Sequence, residues 1–171
     1  LNKVLIFLSL FLALMNPVYA ESGLTVQPWR TEQSVPVFAS TDLSGHLWRL
    51  SDLKGRAVLI NFWATWCEPC LAEMPSLQRL AQREGSDKLV VLAVNFKQSI
   101  DTIEGFVQKT ALQLPVIADQ QGLLARQWGV KVFPSTLLVD VRGRVHAVAQ
   151  GELDWTSPEA SRLWHPLLEL P

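Results

Sequence analysis

Three stretches predict a single α/β domain in which helices flank a central mixed sheet. Val58 to Ala64 is an apolar, strand-like run that gives way to a helical stripe beginning at Leu71. Leu89 to Asn95 (Leu-Val-Val-Leu-Ala-Val-Asn) is continuously apolar and rich in valine, the pattern of a parallel strand buried on both faces. Leu137 to Asp140 and Arg144 to Gln150 flank Arg142-Gly143, a tight turn that sets the second run antiparallel to the first. Parallel and antiparallel neighbours in one sheet make it mixed.

The chain opens differently from the rest. Lys3 precedes an apolar run from Val4 to Met15, broken by Asn16-Pro17, with the small residues Val18 and Ala20 at the −3 and −1 positions of a cut after Ala20. Those features describe a secretory signal peptide over residues 1–20. A membrane span needs ~20 apolar residues, so this run is short for one. An uncleaved N-terminal anchor is the alternative, and either outcome puts the domain outside the cytoplasm. Residues 21–34 are mostly polar without a period and read as a tether, leaving 35–171 as the folded domain.

Val37 to Thr41 and His46 to Leu50 are short strands around Asp42-Leu43-Ser44-Gly45, a hairpin-like turn. Ser51 to Arg56 is a polar connector into the strand at 58–64. Beyond Cys70, the residues Leu71, Met74, Leu77, Leu80 and Ala81 form an apolar helix face, with Gln78, Arg79 and Gln82 on the wet side. Pro69 falls in that helix's first turn, where a missing N–H costs nothing. Pro75 falls inside it, where it removes one backbone bond, clashes with the preceding turn and should kink the helix. A second helix over 101–110 starts at Ser99 or Asp101, a strand covers 115–118, and a short helix over 122–128 is closed by Gly129. Ser157-Pro158-Glu159 reads as the cap, first-turn proline and acidic first turn of a last helix. Leu163, Trp164, Leu167 and Leu168 face the core there, and Pro166 bends it.

The chemistry is concentrated between the first strand and its helix. Cys67 and Cys70 are the only cysteines in 171 residues. Their spacing lets the first turn of a helix hold both sulfurs within bonding reach. A helix N-terminus offers partial positive charge and free N–H groups, which stabilise a thiolate on Cys67. Cys67, expected to be exposed at the helix tip, can then attack a disulfide, and Cys70, expected to be buried one turn inside, can displace the product. Other readings fare worse. A structural disulfide closing so short a loop removes little unfolded-state entropy. Structural zinc takes about four ligands, and His46, His146 and His165 are scattered without ligand spacing. Haem attachment needs histidine after the second cysteine, where Leu71 stands.

Phe62 to Pro75 (Phe-Trp-Ala-Thr-Trp-Cys-Glu-Pro-Cys-Leu-Ala-Glu-Met-Pro) resembles the active site of thioredoxin-fold oxidoreductases, and within them the extracytoplasmic TlpA/ResA-like group. The likeness runs from about Val35 to the C-terminus. It implies a thioredoxin-like fold with an N-terminal β-hairpin extension and a central α/β insertion near 97–118. It implies thiol–disulfide exchange without a cofactor or metal, on disulfides of exported protein substrates such as apocytochrome c or a copper-site protein. A membrane thiol carrier would supply the electrons, and a monomer is expected. Pro134, in Phe-Pro-Ser-Thr, matches the cis-proline opposite the cysteines, where a substrate segment pairs as an added strand. Phe133 would touch that substrate and Trp66 would flank the sulfurs as an apolar platform, whereas Trp63 belongs to the core.

Two acids and an amide refine this picture. Glu68 sets negative charge beside the Cys67 thiolate and opposes its ionisation, which favours a reducing role; a merely solvated surface charge is the alternative. Thioredoxins carry a buried Asp where this chain has Asn61, and Asn cannot titrate. Glu73, one turn beyond Cys70, matches an active-site Glu of ResA-like proteins and can take over the proton of the buried cysteine; an exposed helix carboxylate is the alternative.

Composition narrows the partners. The chain is 49% hydrophobic and 18% charged with a formal net charge of −1, and no Lys/Arg run suggests a nucleic-acid partner. Two rivals share the motif's chemistry. A peroxiredoxin has Pro-x-x-x-Thr-x-x-Cys, but Ile60 and Ala64 occupy those Pro and Thr positions here. A metal carrier could use the two thiolates as soft ligands for Cu(I).

Overall fold

The computed structural model describes residues 23–29 and 35–169. The expected leader over 1–20 lies outside the described residues. Among the described residues, eight strands and four α-helices follow in the order β1 (Thr25–Pro28), β2 (Ala39–Thr41), β3 (Leu47–Arg49), β4 (Ala57–Trp63), α1 (Glu68–Glu84), β5 (Leu89–Phe96), α2 (Ile100–Thr110), β6 (Val116–Asp119), α3 (Leu123–Gln127), β7 (Ser135–Val139), β8 (Val145–Gln150) and α4 (Pro158–Trp164). The main sheet has the order β1-β8-β7-β4-β5-β6. Strands β4, β5 and β6 run parallel, and β7, β8 and β1 add antiparallel neighbours, so the sheet is mixed as expected.

Every residue of β4 is buried, because alternate side chains feed two cores. Ala57, Leu59 and Trp63 join Leu77 and Leu80 of α1, Ile103 of α2 and Trp164 of α4 on one face. Val58, Ile60 and Phe62 join Phe38, Leu50 and Trp128 on the other. Asn61 shares the parity of Leu59 and Trp63, which aims a polar side chain at α1. That single exception in an apolar strand builds the site.

Helix ends follow their caps. Ser99 Oγ accepts from Thr102 N and Ser157 Oγ from Ala160 N, opening α2 and α4. Helix α1 runs unbroken past Pro75, on its exposed face, to Gly85 at φ +79. Two expectations need correction. Thr25–Pro28, read as part of a polar tether, is an edge strand paired with β8; all four residues are exposed, so backbone pairing alone holds it and no apolar pattern marks it. A 3-10 turn over Leu50–Leu53 takes the last residue of the expected strand and the first half of the polar connector at 51–56, and buries both leucines. Strands β2 and β3 form the separate hairpin, whose Leu43 N donates to Val116 O of edge strand β6 at 2.9 Å and covers that edge.

Candidate active site

Cys67 is the N-cap of the 17-residue helix α1, with extended backbone at φ −94 and ψ 97. Its Sγ accepts from Cys70 N at 3.3 Å, so the sulfur sits where the helix presents its unpaired donors. The two cysteines are joined as a disulfide, with Cα atoms 5.2 Å apart. Cys70 is fully buried, but Cys67 is only 6% exposed, less open than a helix-tip position suggests. The bond to Cys70 draws it into the same apolar cluster as Trp63 and Met74, leaving a narrow face for an attacking thiolate. Glu68 and Pro69, between them, point to solvent.

An aromatic rim surrounds that narrow opening. Trp66 is 63% exposed, and its ring packs edge-on to Phe133 at 5.9 Å. Phe133 in turn lies 4.7 Å from the ring of Phe96. The Phe133–Pro134 peptide is cis, the isomer anticipated from the sequence. Pro134 is buried, and its carbonyl accepts from Gly151 N at 3.0 Å. Gly151 has φ +104, and a Cβ there would come within 2.6 Å of Gly23 O, so this anchor of the proline loop requires glycine.

Beneath the disulfide lies a carboxyl group. Cys70 and Glu73 stand one turn apart on the inner face of α1, and Glu73 is 2% exposed. Asn61 Nδ2 donates to its Oε1 at 2.7 Å and also to Thr136 Oγ1 at 2.9 Å. Asn61 and Thr136 face each other across the antiparallel β4–β7 pair, so strand register makes this contact. Trp155 Nε1 at 3.2 Å and Leu153 N at 3.3 Å donate to Oε2. Burial pushes the Glu73 carboxyl up to about 7; the donors from Asn61, Trp155 and Leu153 favour the anion but do not offset it, and the charge of Glu152 adds to the rise. A carboxyl poised near neutrality can hold or release a proton during thiol exchange.

The loop before Cys67 is fastened separately. Gln98 Oε1 accepts from Thr65 N at 2.7 Å and from Asn95 Nδ2 at 3.0 Å, while Gln98 Nε2 donates to Thr65 Oγ1 at 2.6 Å. Sequence reasoning singled out Cys67, Cys70, Trp66, Phe133, Pro134 and Glu73, and the fold brings them to one end of the sheet. It missed Asn61 as a donor to Glu73, and Thr136, Trp155 and Gln98 altogether. An isolated Asn in an otherwise apolar strand was the available signal for Asn61; contacts some eighty residues apart left none for Trp155.

Fold and site together define a thioredoxin-like thiol–disulfide oxidoreductase with a CxxC disulfide at a helix N-terminus. The chain belongs to the AhpC/TSA family, whose model matches residues 31–148. It is 39% identical over 124 residues to the thioredoxin-like protein YneN of Bacillus subtilis, covering 71% of this chain and 72% of that protein. It is 32% identical over 151 residues to the thiol-disulfide oxidoreductase ResA of Geobacillus thermodenitrificans, covering 88% and 87%. Among solved structures, a secreted thiol-disulfide isomerase from Corynebacterium glutamicum matches with a TM-score of 0.73 and 28% identity, over 88% of this chain and 95% of that one.

Proposed function

We propose that this oxidoreductase works outside the cytoplasm and reduces disulfides of exported proteins, including partners whose cysteines must be free to take haem or copper. The observation that carries the reading is the buried Glu73 carboxyl, held near neutrality one turn from Cys70. In the reduced enzyme the Cys67 thiolate attacks one sulfur of the partner's disulfide. A mixed disulfide forms and the other partner sulfur leaves as a thiolate, which takes up a proton. Glu73, as a carboxylate, accepts the proton of the Cys70 thiol. The Cys70 thiolate then attacks Cys67 Sγ, displacing the second partner thiolate, which is protonated in turn. Two electrons have passed to the partner, and the enzyme is left as the Cys67–Cys70 disulfide. A dithiol of a membrane carrier resets it by the reverse exchange. No cofactor enters the cycle.

Glu68 is exposed to solvent, where water screens its charge from the neighbouring sulfur. Trp66, Phe133 and the Pro134 loop form the rim that receives the partner segment. Secretion of the related isomerase and the leader pattern at 1–20 support the extracytoplasmic address. Ile60 and Ala64, both buried in apolar surroundings, replace the residues a peroxidase would need, so peroxide turnover should be negligible.

The test is capture. In Cys70→Ser, resolution is blocked and an exported partner should stay covalently bound to Cys67, released by reductant. Recovery of no disulfide-linked protein from exporting cells would remove the support for partner reduction.

A further inference from the structure

A groove of about 250 Å³ lies between the end of β5 and α3, beside the aromatic rim. Its walls include Phe96, Lys97, Gly122, Arg126 and Lys131. All three cations are exposed, and among the described residues none is ion-paired. The whole chain has a formal net charge of −1, so three cations without an ion pair around one groove are a local concentration, not a general excess. Glu68, the acid of the cysteine motif, is not among the groove's residues.

One of these cations is held in place. Lys97 has φ +53, a left-handed backbone that a non-glycine residue adopts at a cost. Its N–H donates to Asp119 O at 3.0 Å, which fixes that turn. The Lys97 side chain crosses Gly122: a Cβ there would stand 2.7 Å from Lys97 Cε and 2.8 Å from Phe96 Cε2. The ammonium rests 5.2 Å from the Phe96 ring centroid. Phe96 packs on Phe133, and Phe133 on Trp66, the neighbour of Cys67. On the other wall, Lys131 is three residues before Pro134 in the same loop. The groove therefore adjoins the rim through Phe96 and shares the proline loop through Lys131.

We propose that this groove binds an acidic segment of the protein substrate, flanking the disulfide that Cys67 attacks. The inference rests on the partner-reduction reading above and adds the charge of the partner. A flexible chain carrying several carboxylates suits cations spread along the groove, with its disulfide laid against the aromatic rim. Exposed charges of this kind act mainly on encounter and orientation, and salt weakens them.

Two cystine-containing peptides test this. They share the residues next to the disulfide and differ only in carrying Asp/Glu or Lys/Arg further along. The reduced protein should act on the acidic peptide about tenfold faster in kcat/KM at low salt, a preference that shrinks as salt rises. In K97E/R126E/K131E the ratio should fall below one. Equal rates for the two peptides, or a preference that survives in the triple variant, would overturn the proposal. Hydroxyethyl disulfide, which is uncharged, separates the two levels: its reduction together with equal peptide rates sinks the groove alone. If it and both peptides go unreduced, the disulfide-reducing function fails and the groove proposal with it.

Discussion

Glu73 and Asp140 are both carboxyls, each 2% exposed, and they behave in opposite ways. Around Glu73 the donors are neutral: an asparagine amide, an indole and one backbone N–H. Around Asp140, burial alone would raise the carboxyl as well. There, however, His146 Nε2, the Arg144 and Arg142 backbone N–H groups and the Arg144 guanidinium bond its two oxygens and hold it down at about 2. Thr136, beside Glu73, and Asp140 lie four residues apart along β7 and just beyond it, so one strand connects a titrating end to a fixed one. Burial makes a carboxylate expensive; how deeply it is desolvated and how many hydrogen bonds its oxygens accept decide whether it becomes a proton store or a structural clasp.

The sharpest separation of the two is in the pH dependence of stability. Glu73 in the folded protein titrates near 7, above its ordinary value of 4.5, so between these values the folded state keeps a proton the unfolded chain has lost. Stability of the oxidised protein should fall by roughly 3 kcal/mol as pH rises across that window, then level off. Denaturant titrations at pH 5 and 8 measure this, and Glu73→Gln should abolish the fall. Asp140 runs the other way: its contribution is complete above its ordinary value of 3.8 and is lost as pH drops through about 2. Acid unfolding in Asp140→Asn should therefore lose steepness only at that low end.

Activity sharpens the contrast further. Glu73→Gln should slow reduction of a protein disulfide about 100-fold at pH 7 by removing the acceptor for the Cys70 proton. Stopped-flow measurement of mixed-disulfide decay isolates that step. Asp140→Asn should leave the same step within about twofold, since it lies at the far end of the strand. The clasp has a thermodynamic test of its own: Asp140→Ala should cost about 2 kcal/mol by leaving the turn at 140–144 without its acceptor. Calorimetry that finds no loss would break the clasp side of the comparison.

The same contrast marks what could be read from the chain alone. The cysteine pair and most strands carry local signals, namely spacing, caps and apolar runs, and each appears in the fold, whereas the cis peptide at Pro134 is expected only from the family resemblance. Glu73 could be proposed because it lies one turn from Cys70. Its surroundings could not, since Trp155, Leu153 and Thr136 arrive through sheet register and chain reversal. Thr25–Pro28 went unread for a different reason: an exposed edge strand has no buried face to leave a pattern. The cover over Cys67 likewise depends on packing around the bond to Cys70.

Carbon-13 NMR of the Glu73 carboxyl, followed from pH 4 to 9 in the oxidised protein, tests the central claim most directly. A midpoint near 7 is the result this account requires. A midpoint at the ordinary carboxylate value would mean that Glu73 is ionised throughout the working range, and the proton acceptor for Cys70 would have to be sought elsewhere.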